Sequence, residues 1–371
     1  MTQPSYTSGT VITAGHYNYL ATGSTDGTLT AGVPSVGLLW GPGFAEYGYG
    51  QDTTYIAPVQ PGDSITKNEW NNLDAILSHV RNHQLGPNTY NGEPMVEVGD
   101  TIIPRTLNVP NTVAAFENAG KSYTTNDIDT QASVYSGFWG VNAKQTLKLI
   151  HRVSFTTADA ARWFFNAGGK FKLSYSNVKG AGVGVQTPRS IFWTDMCRAV
   201  GSIQIGYKNT LKIDNLPGDF YGQADNAKDQ NNGGFWAHKD RGTEEIIHYT
   251  QDYISYGWQY GYGYDQRYGY GSYYGRSGLK DYMTVSMRIL DNDGLNGNLG
   301  RTIEVISTFY NGTSAPTTPA GAPMGDFNDE INSTITATLT VAEPPYVPNG
   351  FLQERSWGNW VVIKDYALSG A

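Results

Sequence analysis

Histidines at helical spacing are the first residues in this sequence that could do chemistry. His79 and His83 are four residues apart, which places two imidazoles on one face of a helix, where they could bind a metal ion. Val80, however, stands where the zinc-protease motif has its glutamate base, and no third ligand is suitably spaced. We therefore predict no metal site, but two solvated histidines near a helix end, where the helix dipole favours His83.

Carboxylate groups form two further candidate sites. Residues 291–298, DNDGLNGN, offer oxygen ligands at alternate positions, but Asn296 stands at the sixth position, where an EF-hand has glycine. These residue types also make tight turns, so a loop between two strands is the favoured interpretation. Glu244 and Glu245 are adjacent, and adjacent residues of a strand point to opposite faces, so they cannot flank one glycosidic bond. We predict no catalytic residue.

Cysteine and nucleotide motifs add no chemistry. Cys197 is the only cysteine, so one chain can form neither an internal disulfide nor a thiolate zinc site, and a buried, inert thiol is expected. P-loop, G-x-S-x-G and dinucleotide patterns are absent from the sequence, where 182–184 is an isolated G-x-G. A net charge of −8 without a basic run argues against nucleic acid as a partner. A protein without enzymatic activity or cofactor is predicted.

A Tyr/Gly-rich segment, residues 253–278, is the strongest candidate for binding. Aromatic faces with a polar tip suit sugar rings or a protein surface at low entropic cost. The alternative is an extended hairpin that packs within an oligomer and binds no ligand. The candidate ligand-binding residues are Trp258, Tyr260, Tyr262, Tyr264, Tyr268, Tyr270, Tyr273 and Tyr274.

Two related helices are predicted near the start of the chain. The pattern G-x-x-I-T-x-x-x-aromatic-N-x-L occurs at residues 9–20 and again at residues 62–73. In the second copy Thr66 and Glu69 have the spacing of a capping box, and an apolar stripe continues to Val80. Glycines make the first copy a shorter and weaker helix. The first residues, MTQPSYTSGT, lack a basic start and an apolar core, which predicts a soluble chain made in a cytoplasm.

The later sequence predicts strands. Residues 158–175, ADAARWFFNAGGKFKLSY, indicate a helix that Thr156 or Thr157 caps and Gly168-Gly169 ends, followed directly by a half-buried strand. Short alternating segments bounded by Gly, Asn, Asp and Pro follow, with a second helix across residues 190–199. The predicted fold class is mostly β with a few short helices (α+β): a small helical N-terminal region followed by a β-sandwich-like domain. No apolar run approaches the ~20 residues that span a membrane.

Four parts are expected along the chain. Residues 1–93 form an N-terminal attachment region, and residues 94–144 form a linker whose short edge strands are interrupted by proline. Residues 145–342 form the β-rich domain with the Tyr/Gly-rich hairpin. Residues 343–371 form a C-terminal arm or strand, whose apolar end suggests that it docks on another surface.

Several motifs resemble those of tailed-bacteriophage virion structural proteins. ADAARWFFNAGG followed by an alternating strand is similar to a recurrent phrase of these proteins, ADAARYFFNAGG. The I-T-x-x-x-[YW]-N-x-L segments resemble ones near the start of many phage tail and fibre proteins, and the order of elements from Thr146 to Val341 continues the resemblance. It implies a tail, fibre or appendage subunit of the virion, assembled in the host bacterial cytoplasm. The implied partners are other virion proteins and copies of itself, as in a trimer.

Other functions fit the same sequence. A receptor-binding adhesin would recognise host surface glycan through the Tyr/Gly-rich segment. Less favoured alternatives are a capsid decoration protein and a polysaccharide depolymerase, which would require acids brought together from distant segments. Membrane insertion is not expected, and the position of the subunit in a virion stays open.

Overall fold

Two antiparallel sheets pack face to face and share one hydrophobic core. The computed structural model describes residues 12–30, 33, 35–43, 47–87, 95–98, 125–140, 144–179, 188–207, 210–212, 235, 244–251, 281–290, 300–311, 331–345 and 352–369. Within these ranges the fold is mostly β with a few short helices, which confirms the predicted class. No helix of the described ranges is long and apolar enough to cross a membrane.

Helices occur mainly in the first part of the chain. They are α1 (Ala14–Thr22), α2 (Val36–Trp40), α3 (Lys67–Leu85), α4 (Ala158–Asn166) and α5 (Pro188–Val200), with a 3₁₀ turn at Thr54–Ile56. The strands are β1 (Asn126–Trp139), β2 (Thr146–Phe155), β3 (Lys170–Lys179), β4 (Ile203–Ile205), β5 (Thr210–Lys212), β6 (Glu244–Gln251), β7 (Asp281–Ile289), β8 (Thr302–Tyr310), β9 (Ile331–Glu343) and β10 (Trp360–Ser369). Sheet A has the order β1-β9-β3-β4-β5, and sheet B has the order β10-β2-β8-β7-β6.

Strand alternation produces the core between the sheets. In β9 the residues Ile335, Leu339 and Val341 are buried, while the threonines between them point outward. Aromatic side chains fill the space beside α5, where the Trp139 ring lies 5.0 Å from that of Trp193. These contacts bury the apolar faces of both sheets and of α5 in one continuous core.

Sheet A begins earlier in the sequence than expected. β1 lies within the segment assigned to a linker, yet it pairs with β9 from Asn126 to Trp139. The last strand, β10, pairs with β2 from Trp360 to Ser369 and forms the edge of sheet B. The sandwich therefore includes residues on both sides of the predicted β-rich domain.

Both predicted N-terminal helices are present, and both begin with a capping box. The Thr66 N–H donates to Glu69 Oε2 at 2.6 Å, and the Glu69 N–H donates to Thr66 Oγ1 at 3.3 Å. In the shorter α1, Thr13 and His16 make the same reciprocal pair. α1 ends at Gly23, whose φ of +85° is the left-handed conformation that ends many helices.

The predicted helix-GG-strand unit is also confirmed. Thr157 caps α4 by accepting from the Ala160 N–H at 3.0 Å. Gly168 has a φ of +100°, which glycine adopts without strain, and β3 begins two residues later. A Cβ at Gly169 would lie 2.5 Å from the Phe164 ring, so only glycine fits between the helix and the strand.

Candidate functional site

The sandwich has two ends that differ in what adjoins them. We call the end nearer the N-terminal region proximal and the opposite end distal. At the proximal end, β2 ends at Phe155, β10 begins at Trp360, and α4 follows β2. At the distal end, Gly140 follows β1, Asn311 follows β8, and the Asn311 side-chain amide donates to the Gly140 carbonyl. In the part of the chain described, the N-terminal region contacts the proximal end through α4 and the segment before β10.

Arg162 of α4 makes the central contact with the N-terminal region. Its side chain is buried, and its guanidinium donates to the Tyr47 carbonyl at 2.9 Å and to the Pro42 carbonyl at 2.6 Å. Asp159, one turn earlier, accepts from the same guanidinium at 3.1 Å. Charged donors to backbone carbonyls form strong hydrogen bonds, and the carboxylate balances the buried charge.

Asn166, one helical turn beyond Arg162, extends this contact. Its buried side-chain amide donates to the Tyr47 and Gly48 carbonyls, each at 3.1 Å. We call Arg162, Asn166 and the carbonyls that they bind the α4 latch. Gly50 allows the close approach, because a Cβ there would lie 2.3 Å from the Trp163 ring.

Gln51 joins the same loop to the segment that precedes β10. Its Oε1 accepts from the Gln353 N–H at 2.9 Å and the Glu354 N–H at 2.8 Å, and its Nε2 donates to the Glu354 carbonyl at 2.8 Å. The side chain is buried. One side-chain amide therefore both accepts from and donates to the backbone of a distant part of the chain.

The predicted solvated histidines are not both solvated. His83 is fully buried, and its Nε2 lies 2.6 Å from the Ala167 carbonyl at the end of α4. The His79 ring stacks on Trp40 at 5.9 Å. The prediction for His83 was wrong because α4 covers this end of α3. Among the described residues no group of three or more His, Cys, Asp and Glu could hold a metal ion.

The cysteine and the adjacent glutamates were the other candidates for chemistry. Cys197 is buried as predicted, and burial raises the pKa of its thiol to about 12, so a thiolate nucleophile is disfavoured. Glu244 and Glu245 occupy consecutive positions of β6, opposite Met287 and Ser286 of β7. The predicted loop at 291–298 and the G-x-G triplet at 182–184 lie outside the described residues.

The Asn of the repeated N-terminal motif has a function that sequence reasoning missed. Asn18 donates from Nδ2 to the Val59 carbonyl at 2.9 Å and accepts from the Val59 N–H at 2.9 Å. Asn71 binds Val96 in the same way, at 3.2 Å and 2.9 Å. Each side-chain amide thus binds both the N–H and the carbonyl of one valine. We call these pairs the Asn clasps; recurrence of Asn in the motif was their only sequence signal.

Removal of the first clasp should destabilise the N-terminal region. We expect Asn18→Ala to lower the free energy of unfolding by about 2 kcal/mol, because the Val59 N–H and C=O lose buried partners. Asn71→Ala should cost about 1 kcal/mol, since its clasp is only partly buried. Urea denaturation measures both, with the exposed Asn126→Ala as control. Equal stability of all three variants would contradict the role of the clasps.

The candidate ligand-binding residues of the Tyr/Gly-rich segment lie outside the described residues. The strands on either side are described, and Gln251 of β6 pairs with Asp281 of β7. The 252–280 segment therefore leaves and re-enters sheet B at adjacent positions. Its role in binding stays a prediction.

Other connecting segments leave the sandwich at the same end. Trp139 at the end of β1 pairs with Ile331 at the start of β9, and Lys179 at the end of β3 pairs with Ser333. The connections that start or end at the distal end are residues 141–143, 180–187, 252–280 and 312–330. Segments that connect strands at one end of a sandwich often carry binding residues. The N-terminal region occupies the opposite end.

No family model, no curated protein and no solved structure matches this chain.

Proposed function

We propose that this protein is a structural subunit of a tailed-bacteriophage virion, in a tail, fibre or appendage, and that it acts by oligomeric assembly. The observation that carries this proposal is the α4 latch, together with the motif that contains it. Arg162 and Asn166 belong to ADAARWFFNAGG, the segment that resembles phage virion proteins. Through these two residues the motif joins the N-terminal region to the sandwich.

The latch suits a subunit that must hold a fixed shape. Five side-chain to backbone hydrogen bonds of Arg162, Asn166 and His83 join the two parts of the chain at buried or partly buried positions. Buried polar groups lose their partners if the parts separate, so a hinge motion here is costly. A rigid connection between an N-terminal attachment region and a sandwich supports a role in particle architecture.

Purified particles provide the direct test. Mass spectrometry of gradient-purified particles of the phage that encodes this chain should detect it in stoichiometric amounts. Labelling with antibody fragments and electron microscopy should then place it on the tail, fibre or appendage. Detection in infected cells but not in particles would exclude a virion component.

Receptor binding at the distal end is the second candidate function. This function is favoured because the N-terminal region and the distal end lie at opposite ends of the sandwich. A subunit attached to the particle through its N-terminal region would have its distal end directed away from the particle. The Tyr/Gly-rich segment leaves from that end between Gln251 and Asp281. Aromatic side chains there would recognise host surface glycan.

A loop replacement separates binding from assembly. We expect that exchanging residues 252–280 for Asn-Gly, a turn that joins paired antiparallel strands, abolishes adsorption to host cells while particles still assemble. The matched control exchanges residues 291–299, which connect β7 and β8 at the proximal end, and should keep adsorption. Normal adsorption of the first variant would refute glycan binding by this segment, and failed assembly would assign it to packing.

A further inference from the structure

The outward face of sheet A has small side chains at its centre, and the exposed Phe138 lies on the same face toward the distal end. At its centre β9 lies between β1 and β3, and each outward residue of β9 has a partner on both sides. Val134 and Val178 are 45% and 55% exposed, respectively. We call this surface the hydroxyl face and define it by two central rows of residues: Val134, Thr336 and Ser176, then Ser136, Thr334 and Val178.

Hydroxyl groups on and beside this face satisfy one another. Ser136 Oγ and Thr334 Oγ1 are 2.7 Å apart, and Thr130 Oγ1 and Thr340 Oγ1 are 3.0 Å apart across the same pair of strands. A polar group that already has a partner within the sheet costs less free energy to remove from water. The face can therefore be covered by another surface with a smaller penalty than its hydroxyl content suggests.

Charge is absent from the centre of the face and present at its margin. The six defining residues are uncharged, whereas Lys172 and Asp127 form an ion pair of 2.6 Å toward the proximal end. The whole chain has a net charge of −8, so two copies repel each other on average. An uncharged face is a place where a second copy can approach without that repulsion.

The two central rows have a self-complementary pattern. One row ends in valine on β1 and serine on β3, and the other ends in serine on β1 and valine on β3, with threonine between them in both. A half-turn about the normal to the sheet exchanges the rows. A half-turn about an axis along β9, which brings a second copy face to face, sets every valine opposite a serine. Large residues opposite small ones interdigitate.

We propose that the hydroxyl face packs against the same face of a second copy, about a two-fold axis along β9. Val134 would then contact the partner's Ser176, and Val178 would contact the partner's Ser136. Such a contact is isologous, since the same surface serves both copies, and face-to-face sheets pack about 10 Å apart. This pairing rests on the proposed oligomeric assembly and names its contact.

Charged substitutions test the predicted pairs of residues. Val134→Glu should raise the Kd of self-association by about 100-fold or more, because it buries two unpaired carboxylates. Ser176→Lys should weaken self-association similarly. Mixing the two variants should restore a heterodimer, since the introduced carboxylate of one variant would face the introduced ammonium of the other. Sedimentation velocity and native mass spectrometry measure these outcomes, with Thr308→Glu, at an outward position of sheet B, as control.

Three results would overturn the pairing. They are a wild-type chain that stays monomeric at high concentration, a Val134→Glu variant that associates like wild type, and a mixture that forms no heterodimer. Circular dichroism checks that each variant is folded, as expected for exposed positions. Incorporation into particles is measured separately, so a virion subunit with a different contact surface is distinguishable from a protein that is not a virion subunit.

Discussion

Replacing Arg162 by alanine should lower the free energy of unfolding by about 4 kcal/mol. The substitution leaves the carbonyls of Pro42 and Tyr47 without their charged donor in a partly buried contact. Burial lowers the pKa of the Arg162 guanidinium, and Asp159 offsets part of that effect, as expected for a cation held by partners rather than by water. Arg162→Lys should recover only part of the loss, because an ammonium cannot reach both carbonyls with the planar geometry of a guanidinium.

Urea denaturation followed by tryptophan fluorescence measures this effect. The matched control is Lys172→Ala, which removes an ion pair between partly exposed groups and should change stability by less than about 1 kcal/mol. Limited proteolysis adds a second readout, since a separated N-terminal region should be cleaved faster than the sandwich. Similar unfolding midpoints for Arg162→Ala and Lys172→Ala would show that the latch carries little of the stability.

Acidification should destabilise the sandwich through His151. Its side chain is fully buried on the inner face of β2, with Nε2 3.2 Å from the Gln131 carbonyl. The pKa of His151 is lowered to about 4, mainly by burial and in smaller part by the Lys364 charge, while the hydrogen bond to the Gln131 carbonyl opposes the shift. In the unfolded chain the pKa returns to about 6.5.

The sign follows from proton binding. Between pH 6.5 and pH 4 the unfolded chain binds a proton at His151 that the folded chain does not, so the unfolding free energy falls as the pH falls. A pKa shift from 6.5 to about 4 corresponds to about 3 kcal/mol, present above pH 6.5 and lost by pH 4.

A neutral variant isolates this contribution from that of the carboxylates. His151→Gln keeps a donor for the Gln131 carbonyl and cannot be protonated, so its stability should depend less on pH over this range. Urea denaturation at intervals from about pH 7 to about pH 4 provides both curves. Parallel curves for wild type and variant would rule out His151 as the source.

Local signals in the sequence predicted local structure well. The capping box of Thr66 and Glu69 and the glycine pair at 168–169 were identified because their partners lie within a few residues. β1 was harder to predict, since its outward positions include Val134 and Phe138, which obscure the alternation of a half-buried strand. Its partner β9 lies about two hundred positions later, so the pairing has no local signature.

The candidate site was less predictable for a related reason. Arg162 and Asn166 bind backbone carbonyls more than a hundred positions earlier, and a carbonyl group has no residue type by which to recognise it. His83 was assigned to solvent because helical spacing cannot indicate which helix end another element covers. The Tyr/Gly-rich segment was identified from composition alone, and its role stays a prediction.

The Asn clasps bear on how such a chain could change in evolution. Val59 and Val96 each begin a Val-x-x-Gly-Asp sequence, and the first of these leads directly into the next clasping helix. A unit therefore carries both an asparagine that holds its successor and a segment that its predecessor holds. Duplication of one unit would supply matching contacts at both of its junctions. The N-terminal region could lengthen or shorten by whole units while the sandwich kept its sequence.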